Sequence, residues 1–300
     1  MDVGGTKIAG GVVAMPSGDV LARSTIPTGA HRPGGAVLAD ALALAEQLIG
    51  TARELGAEVI GIGVGVPELV TPDGNITSGH AVAWRGVPVQ AAFRRLAPAV
   101  VESDVRAAAL AEAMFGAGRQ FNVFAYVTVG TGISCCLVQE GRPYAGARGN
   151  ALVLASSPLT TTCTHCGTVL EPVLEEFASG PALVARYKRR SGQHVTRGEE
   201  VLQAVAAGDR AAAEVVRTAG EALGVSVGFL TNVLDPEAVV VGGGLGQAGG
   251  LYWSSFVASV RKHIWPDNTR ELPILPAGLE ADTGFIGAAA TIWGRQGGLA

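Results

Sequence analysis

The chain has 300 residues, of which 48% are hydrophobic, 16% charged and 5% aromatic; it carries 43 glycines and a formal net charge of −4. A disordered or solvating chain would carry more charge and less apolar surface, so a buried core is expected. Nor does the charge balance offer a basic patch to nucleic acid or to an anionic membrane, which leaves small ligands as the expected partners.

Residues 7–15 are apolar and β-prone, break at Pro16-Ser17-Gly18-Asp19 and resume over 20–26, which predicts a hairpin. Apolar residues then recur at helical spacing over 35–55, with an end near Gly56. Residues 59–64 form a continuous apolar strand closed by Gly65-Val66-Pro67, and 99–101 a second closed by Glu102-Ser103-Asp104. A helix is predicted over 105–115, strands over 123–129 and 133–138, helices over 172–190 and 211–232, a strand over 238–241 and a helix over 251–264. The uncharged run from Gln120 to Gln139 is long enough to span a bilayer, but Asn122, Thr128, Gly130, Thr131, Gly132 and Ser134 make it two strands around a polar turn. Met1 is followed by Asp2, a glycine pair and Lys7 rather than a secretory apolar stretch, so the expected compartment is the cytoplasm. Strands alternating with amphipathic helices define an α/β protein, with a boundary expected near Gly116-Ala117-Gly118.

Four glycine-rich turns fall at strand ends: Asp2-Val3-Gly4-Gly5-Thr6-Lys7, Gly63-Val64-Gly65-Val66-Pro67, Gly130-Thr131-Gly132 and Gly242-Gly243-Gly244. One such turn does no more than close a hairpin. Two of them carrying Thr, Lys and Asp are what gripping a polyphosphate requires, because backbone N–H groups reach an anion where no Cβ intervenes. No Gly-x-x-x-x-Gly-Lys-Ser/Thr run is present, whereas Gly244-Leu245-Gly246-Gln247-Ala248-Gly249 fits a dinucleotide fingerprint and keeps an oxidoreductase open as an alternative. Asp104, between a strand and a helix, reads either as a helix cap or as a carboxylate that accepts a hydroxyl proton during phosphoryl transfer. Cys163 and Cys166 make half a zinc ligand set with no second pair to complete it, and Cys135-Cys136 are adjacent, so no disulfide framework is expected.

Taken together, these motifs resemble the ROK family, which joins bacterial glucokinases and related sugar kinases with sugar-responsive repressors. Asp2 through Lys7 resembles its first phosphate loop, and Val101-Glu102-Ser103-Asp104 with 107–112 its catalytic segment. Gly130-Thr131-Gly132-Ile133 resembles the second phosphate loop, Phe177-Ala178-Ser179-Gly180 the segment after the zinc motif, and Asn232 through Gly244 the adenosine region. The resemblance implies the actin-like ATPase fold, two α/β lobes with ATP and sugar in the cleft. It implies a smaller lobe over 1–117 completed by a C-terminal helix at 285–300, and a larger lobe over 118–284. ATP with Mg²⁺ would be held by Gly4, Gly5, Thr6, Lys7, Gly130, Thr131, Gly132, Gly242, Gly243 and Gly244, with Asp2 acting through the metal. Asp104 would be the base for a primary hydroxyl, and the active species a homo-oligomer, most simply a dimer.

Departures from the family pattern bear on the substrate side, which the resemblance assigns to Pro67, Glu68, Ser103, Asp104, Val153, Ser156 and Glu175. Ser103 stands where the family carries Asn, and Glu68 where a glycine approaches the sugar ring, either to meet an amino group or to point to solvent. The family's Glu and His, which hold the anomeric end of the sugar, fall at Val153 and Ser156, leaving Glu175 as the acidic contact on that side. That His is also a zinc ligand in the family, so no structural zinc is expected. The ligand implied is a glucose-like polyol altered around C1 to C3, such as a C7-cyclitol or an aminosugar, because a site built for a hydroxyl rejects ligands that lack it. An ordinary glucokinase or hexose kinase and a catalytically inactive sugar sensor are the competing expectations.

Overall fold

The computed structural model describes residues 1–29, 32–163, 166–279 and 282–298. His31 and the Thr164-His165 pair of the cysteine turn lie outside the described residues. In chain order the elements are β1 (Asp2–Val3), β2 (Lys7–Val13), β3 (Val20–Pro27), α1 (Gly34–Glu54), β4 (Ile62–Val66), α2 (Val89–Phe93), β5 (Ala99–Ser103) and α3 (Asp104–Phe115). They continue with β6 (Val123–Val129), β7 (Ile133–Gln139), β8 (Arg142–Pro143), β9 (Thr161–Thr162), β10 (Val169–Leu170), α4 (Leu174–Ala178), α5 (Gly180–Ser191) and α6 (Gly198–Ala206). The last are α7 (Arg210–Leu234), β11 (Ala238–Gly242), α8 (Gly250–His263), β12 (Ile274–Pro276) and α9 (Thr283–Trp293).

The chain divides into two compact units, the first made of 1–122, 136–151 and 278–300 and the second of 123–135 and 152–277. The first holds a five-stranded sheet in the order β3-β2-β1-β4-β5. The opening hairpin forms as its pattern predicts, with β2 and β3 antiparallel, while β1, β4 and β5 run parallel. Their registers, Asp2 opposite Gly65 and Val66 opposite Ser103, bring three strand ends to one edge of the sheet. Loops at the carboxyl ends of parallel strands are where ligands bind in α/β proteins.

Helix α1 is long and apolar enough to cross a membrane by length and composition. Its stripe of Val37, Ala41, Leu44, Ala45, Leu48 and Ala52 is instead buried in the core of this unit. An apolar cleft of about 390 Å³ lies between β2 and β4, walled by Leu48 and Ile292.

Strand β4 does not stop at Gly65-Val66 as its composition predicts but runs through them. Gly63 is a close-approach residue rather than a turn residue: a side chain there would collide with the Ala288 carbonyl of α9. A Cβ at Gly65 would make ordinary contact, 3.7 Å from the Asp2 carboxylate and 3.8 Å from the Asp104 backbone. Helix α9 is brought equally near to α3 at Gly287, where a Cβ would strike the Ala107 carbonyl.

In the second unit β11 pairs in parallel with both β6 and β12. The full strand order is β12-β11-β6-β7-β8, and the chain passes from this unit to the first within β7. Helix α7 buries Val215, Val216, Ala219, Leu223 and Val227, and Gly220 and Gly224 leave no room for side chains where α8 crosses. The helix predicted over 172–190 is two helices. Ser179 is extended and caps α5, and the Gly180 N–H turns to the Gly130 carbonyl at 2.9 Å. Short α6 and the β9–β10 hairpin carry too few periodic residues to announce themselves.

Candidate active site

The first unit gathers Asp2, Gly4 to Lys7, Pro67, Glu68, Ser103 and Asp104 at the common strand edge. The β1–β2 turn is closed by a Gly4 N–H to Lys7 carbonyl bond of 2.9 Å and anchored by buried Thr28, whose hydroxyl donates to the Gly4 carbonyl at 2.6 Å. Thr6 and Lys7 stay exposed. Asp2 sits against the first turn of α9, where a side chain at Gly284 would meet its carboxylate. Burial raises its pKa, with Lys7 among the groups pulling the other way.

Asp104 is the first residue of α3, and Ser103, extended at the end of β5, takes the cap position. One of the two readings of Asp104 is thereby removed. Its Oδ1 accepts the Val105 N–H at 2.6 Å, which leaves Oδ2 for another group. Burial is the main cause that pushes its carboxyl up to about 7, Asp2 and Glu68 add repulsion, and the Val105 N–H and Arg106 oppose the rise. A base for a hydroxyl works best with a pKa near the working pH. Beside it Ser103 is 5% exposed, and its Oγ is the one buried side-chain polar atom without a hydrogen-bond partner among the described residues.

Glu68 corrects both expectations set for it, since it neither points to solvent nor offers a free oxygen to an amino group. It is 3% exposed. Oε2 accepts from the Ser78 hydroxyl and the His80 N–H, and Oε1 from the N–H groups of Ala81 (2.7 Å) and Val82 (2.9 Å). Burial pushes this carboxyl up, but the four donors outweigh it and the net shift is downward. The aminosugar expectation thereby loses the contact on which it rested. Ser78 and the 80–82 segment carried no sequence signal of their own. By contrast Arg106, buried and bonded to Glu102 and to the Gly149 and Val70 carbonyls, was detectable as an i,i+4 pair flanking Ser103-Asp104.

The second unit collects the other glycine turns at the ends of β6 and β11. Gly130 N–H bonds the Gly132 carbonyl at 2.9 Å, and the Ile133 N–H donates to Glu175 Oε2 at 2.7 Å. Glu175 therefore closes this turn from the start of α4. Gly243 adopts φ +83° with the Val129 carbonyl against it, and the Leu245 and Gly246 N–H groups both reach that carbonyl. Gly242 to Gly244 thus pack beside Gly130. Val153 is 46% exposed and lines an apolar cleft of about 400 Å³ with Phe229 of α7, and the hydroxyl of exposed Ser156 turns back to the Val153 carbonyl at 2.9 Å. Cys163 and Cys166 sit at the tip of the β9–β10 hairpin as free thiols.

Two units, each with a parallel strand pair ending in a glycine turn, and one of them with a near-neutral carboxylate at that edge, define an α/β protein of the actin-like ATPase fold. The chain belongs to the ROK family, whose model matches residues 1–295. Glucokinase of Streptomyces coelicolor is 28% identical over 96% of this chain and 95% of its own. The ROK hexokinase of Thermus thermophilus superposes with a TM-score of 0.81 at 30% identity, over 99% of this chain and 98% of that one. A ROK glucokinase from Streptomyces griseus, solved with glucose and AMPPNP, gives a TM-score of 0.81 at 26% identity over 97% of each chain. The dinucleotide alternative is set aside, because the family and the fold are those of ROK proteins.

Proposed function

We propose that the protein is an ATP-dependent kinase that phosphorylates a primary hydroxyl of a neutral, glucose-like polyol, with a C7-cyclitol preferred over glucose. The carrying observation is Asp104, placed at the sheet edge with its carboxyl near 7 and one oxygen left for an acceptor. Oδ2 takes the hydroxyl proton as the substrate oxygen bonds to the γ-phosphorus and the bond from that phosphorus to the β,γ-bridging oxygen breaks, giving the phosphate ester and ADP. The Gly4 to Lys7 turn holds phosphate oxygens on the first unit, and the Gly130 to Gly132 and Gly242 to Gly244 turns hold nucleotide on the second.

Among the described residues no three His, Cys, Asp or Glu side chains converge to hold a metal. Mg²⁺, which neutralises phosphate charge when bound, needs only one or two carboxylates besides the phosphates, and half-buried Asp2 fits that part. The preference for a cyclitol is supported by Val153 and Ser156, which supply neither carboxylate nor imidazole for a sugar's anomeric hydroxyl. ATP and free thiols suit a cytoplasmic site. Phe229 and Val233, 68% and 61% exposed one turn apart on α7, support a homodimer.

ADP release measured with glucose, mannose, aminosugars and C7-cyclitols tests the assignment. Turnover is expected with a neutral polyol, fastest with a cyclitol. Glucose as the best acceptor would overturn the substrate preference, and an absence of ADP release with every acceptor, despite AMPPNP binding, would point to sensing instead.

A further inference from the structure

We infer that Glu68 is a positioning residue for this transfer: it fixes the Ser78–Val82 segment as the wall between the β1–β2 turn and Asp104, and so favours neutral over anionic acceptors without touching them. The inference rests on the kinase reading. Four donors reach this one buried carboxylate, two on each oxygen, and three of them are successive backbone N–H groups. A carboxylate so enclosed has no acceptor capacity left for a ligand. It does have a strong hold on the segment around it, since hydrogen bonds to a charged acceptor are the stronger kind.

That segment lies against the phosphate-side turn: a Cβ on Gly5 would rest 3.5 Å from the Ala81 side chain. Downstream it is tied by Trp84, fully buried, whose indole N–H donates to the Gly34 carbonyl at 2.8 Å. Upstream, Glu68 itself leaves β4 two residues after Val66, whose register partner is Ser103. One side chain therefore links the wall, the β1–β2 turn and the strand that delivers Asp104.

The charged groups around Asp104 are Asp2 from β1, Glu68 after β4 and Arg106 on α3, and Arg106 is itself paired with Glu102 of β5. Asp104, Asp2 and Glu68 against one paired guanidinium disfavour a sugar acid or sugar phosphate as acceptor. Asp2 and Glu68 also make Asp104 a better base, because a neighbouring negative charge opposes its ionisation.

The test compares Glu68→Gln, Glu68→Ala and Ser78→Ala with the parent chain. In Glu68→Gln the Asp104 carboxyl, followed by carbon-detected NMR titration, is expected to titrate lower by roughly half a pH unit or more, and the acid limb of kcat/KM to move with it. The acceptor KM should rise roughly tenfold, as for a lost positioning contact, while AMPPNP affinity stays within about twofold. Ser78→Ala, which removes a donor and no charge, should raise acceptor KM and leave the titration in place. An unmoved Asp104 titration in a folded Glu68→Gln protein, or acceptor and nucleotide affinities falling together, would overturn the inference. The NMR titration needs no turnover, so a chain that phosphorylates nothing defeats the kinase reading while Glu68 is still judged on its own.

Discussion

Asp104 carries two demands that pull against each other. To accept a proton it must be ionised, yet burial and the charges of Asp2 and Glu68 favour its neutral form. The balance lies at about 7, so the base becomes available as pH rises through neutrality. Turnover should therefore climb from pH 6 to pH 8 with a single ionisation near 7, read from the pH dependence of kcat/KM. Asp104→Asn keeps an oxygen for the Val105 N–H but cannot take a proton. Its kcat should fall by about 10²- to 10⁴-fold, the usual worth of a placed base, with AMPPNP binding unchanged in a calorimetric titration. Retention of near-parental kcat would remove Asp104 from the mechanism.

At the scale of elements, α3 shows how one buried acid can organise loops far away in sequence. Glu112 is fully buried and accepts the N–H groups of Ala117 at 2.8 Å and of Gly278 and Leu279 at 2.9 Å. These are the stretches by which the chain leaves the first unit and returns to it for α9. Glu112→Ala would strand three donors and should cost about 3–5 kcal/mol of stability. Glu112→Gln, which keeps one acceptor oxygen, should cost about half as much, both read from urea unfolding. Equal effects of the two would mean that side-chain volume, not acceptance, is what matters. Periodicity in the sequence located α1, α3, α7 and α8 and the strands β2, β3, β5, β6, β7 and β11, because each presents one apolar face or a continuous apolar run. It could not separate α4 from α5, where the break is made by a Gly180 bond to Gly130, 50 residues earlier. The role of Gly63 is hidden from the sequence for the same reason, since what it makes room for comes from α9. Asp104 and the glycine turns were legible as local motifs. The enclosure of Glu68 was not, because its donors lie 10 to 14 residues away on a segment without a pattern.

For the whole molecule, a base held near neutrality is a standing cost to stability. The folded-state pKa of Asp104 is raised from 3.8 to about 7, so the folded chain binds a proton at this site that the unfolded chain has lost. That contribution is complete below pH 3.8 and is lost as pH rises through about 7. Above that pH the folded chain carries an ionised carboxylate against Asp2 and Glu68, whereas Asn at the same place carries none. Asp104→Asn should therefore melt higher than the parent at pH 8, by an amount corresponding to about 1–3 kcal/mol once partial exposure is allowed for. Near pH 4 the two should melt together, because Asp104 is then neutral in the folded chain. Melting curves of both proteins at the two pH values decide the matter: a variant that is weaker at pH 8, or a difference independent of pH, would mean that Asp104 is not held near neutrality. The same variant that loses transfer should thus gain stability, and only in the pH range where the base is charged.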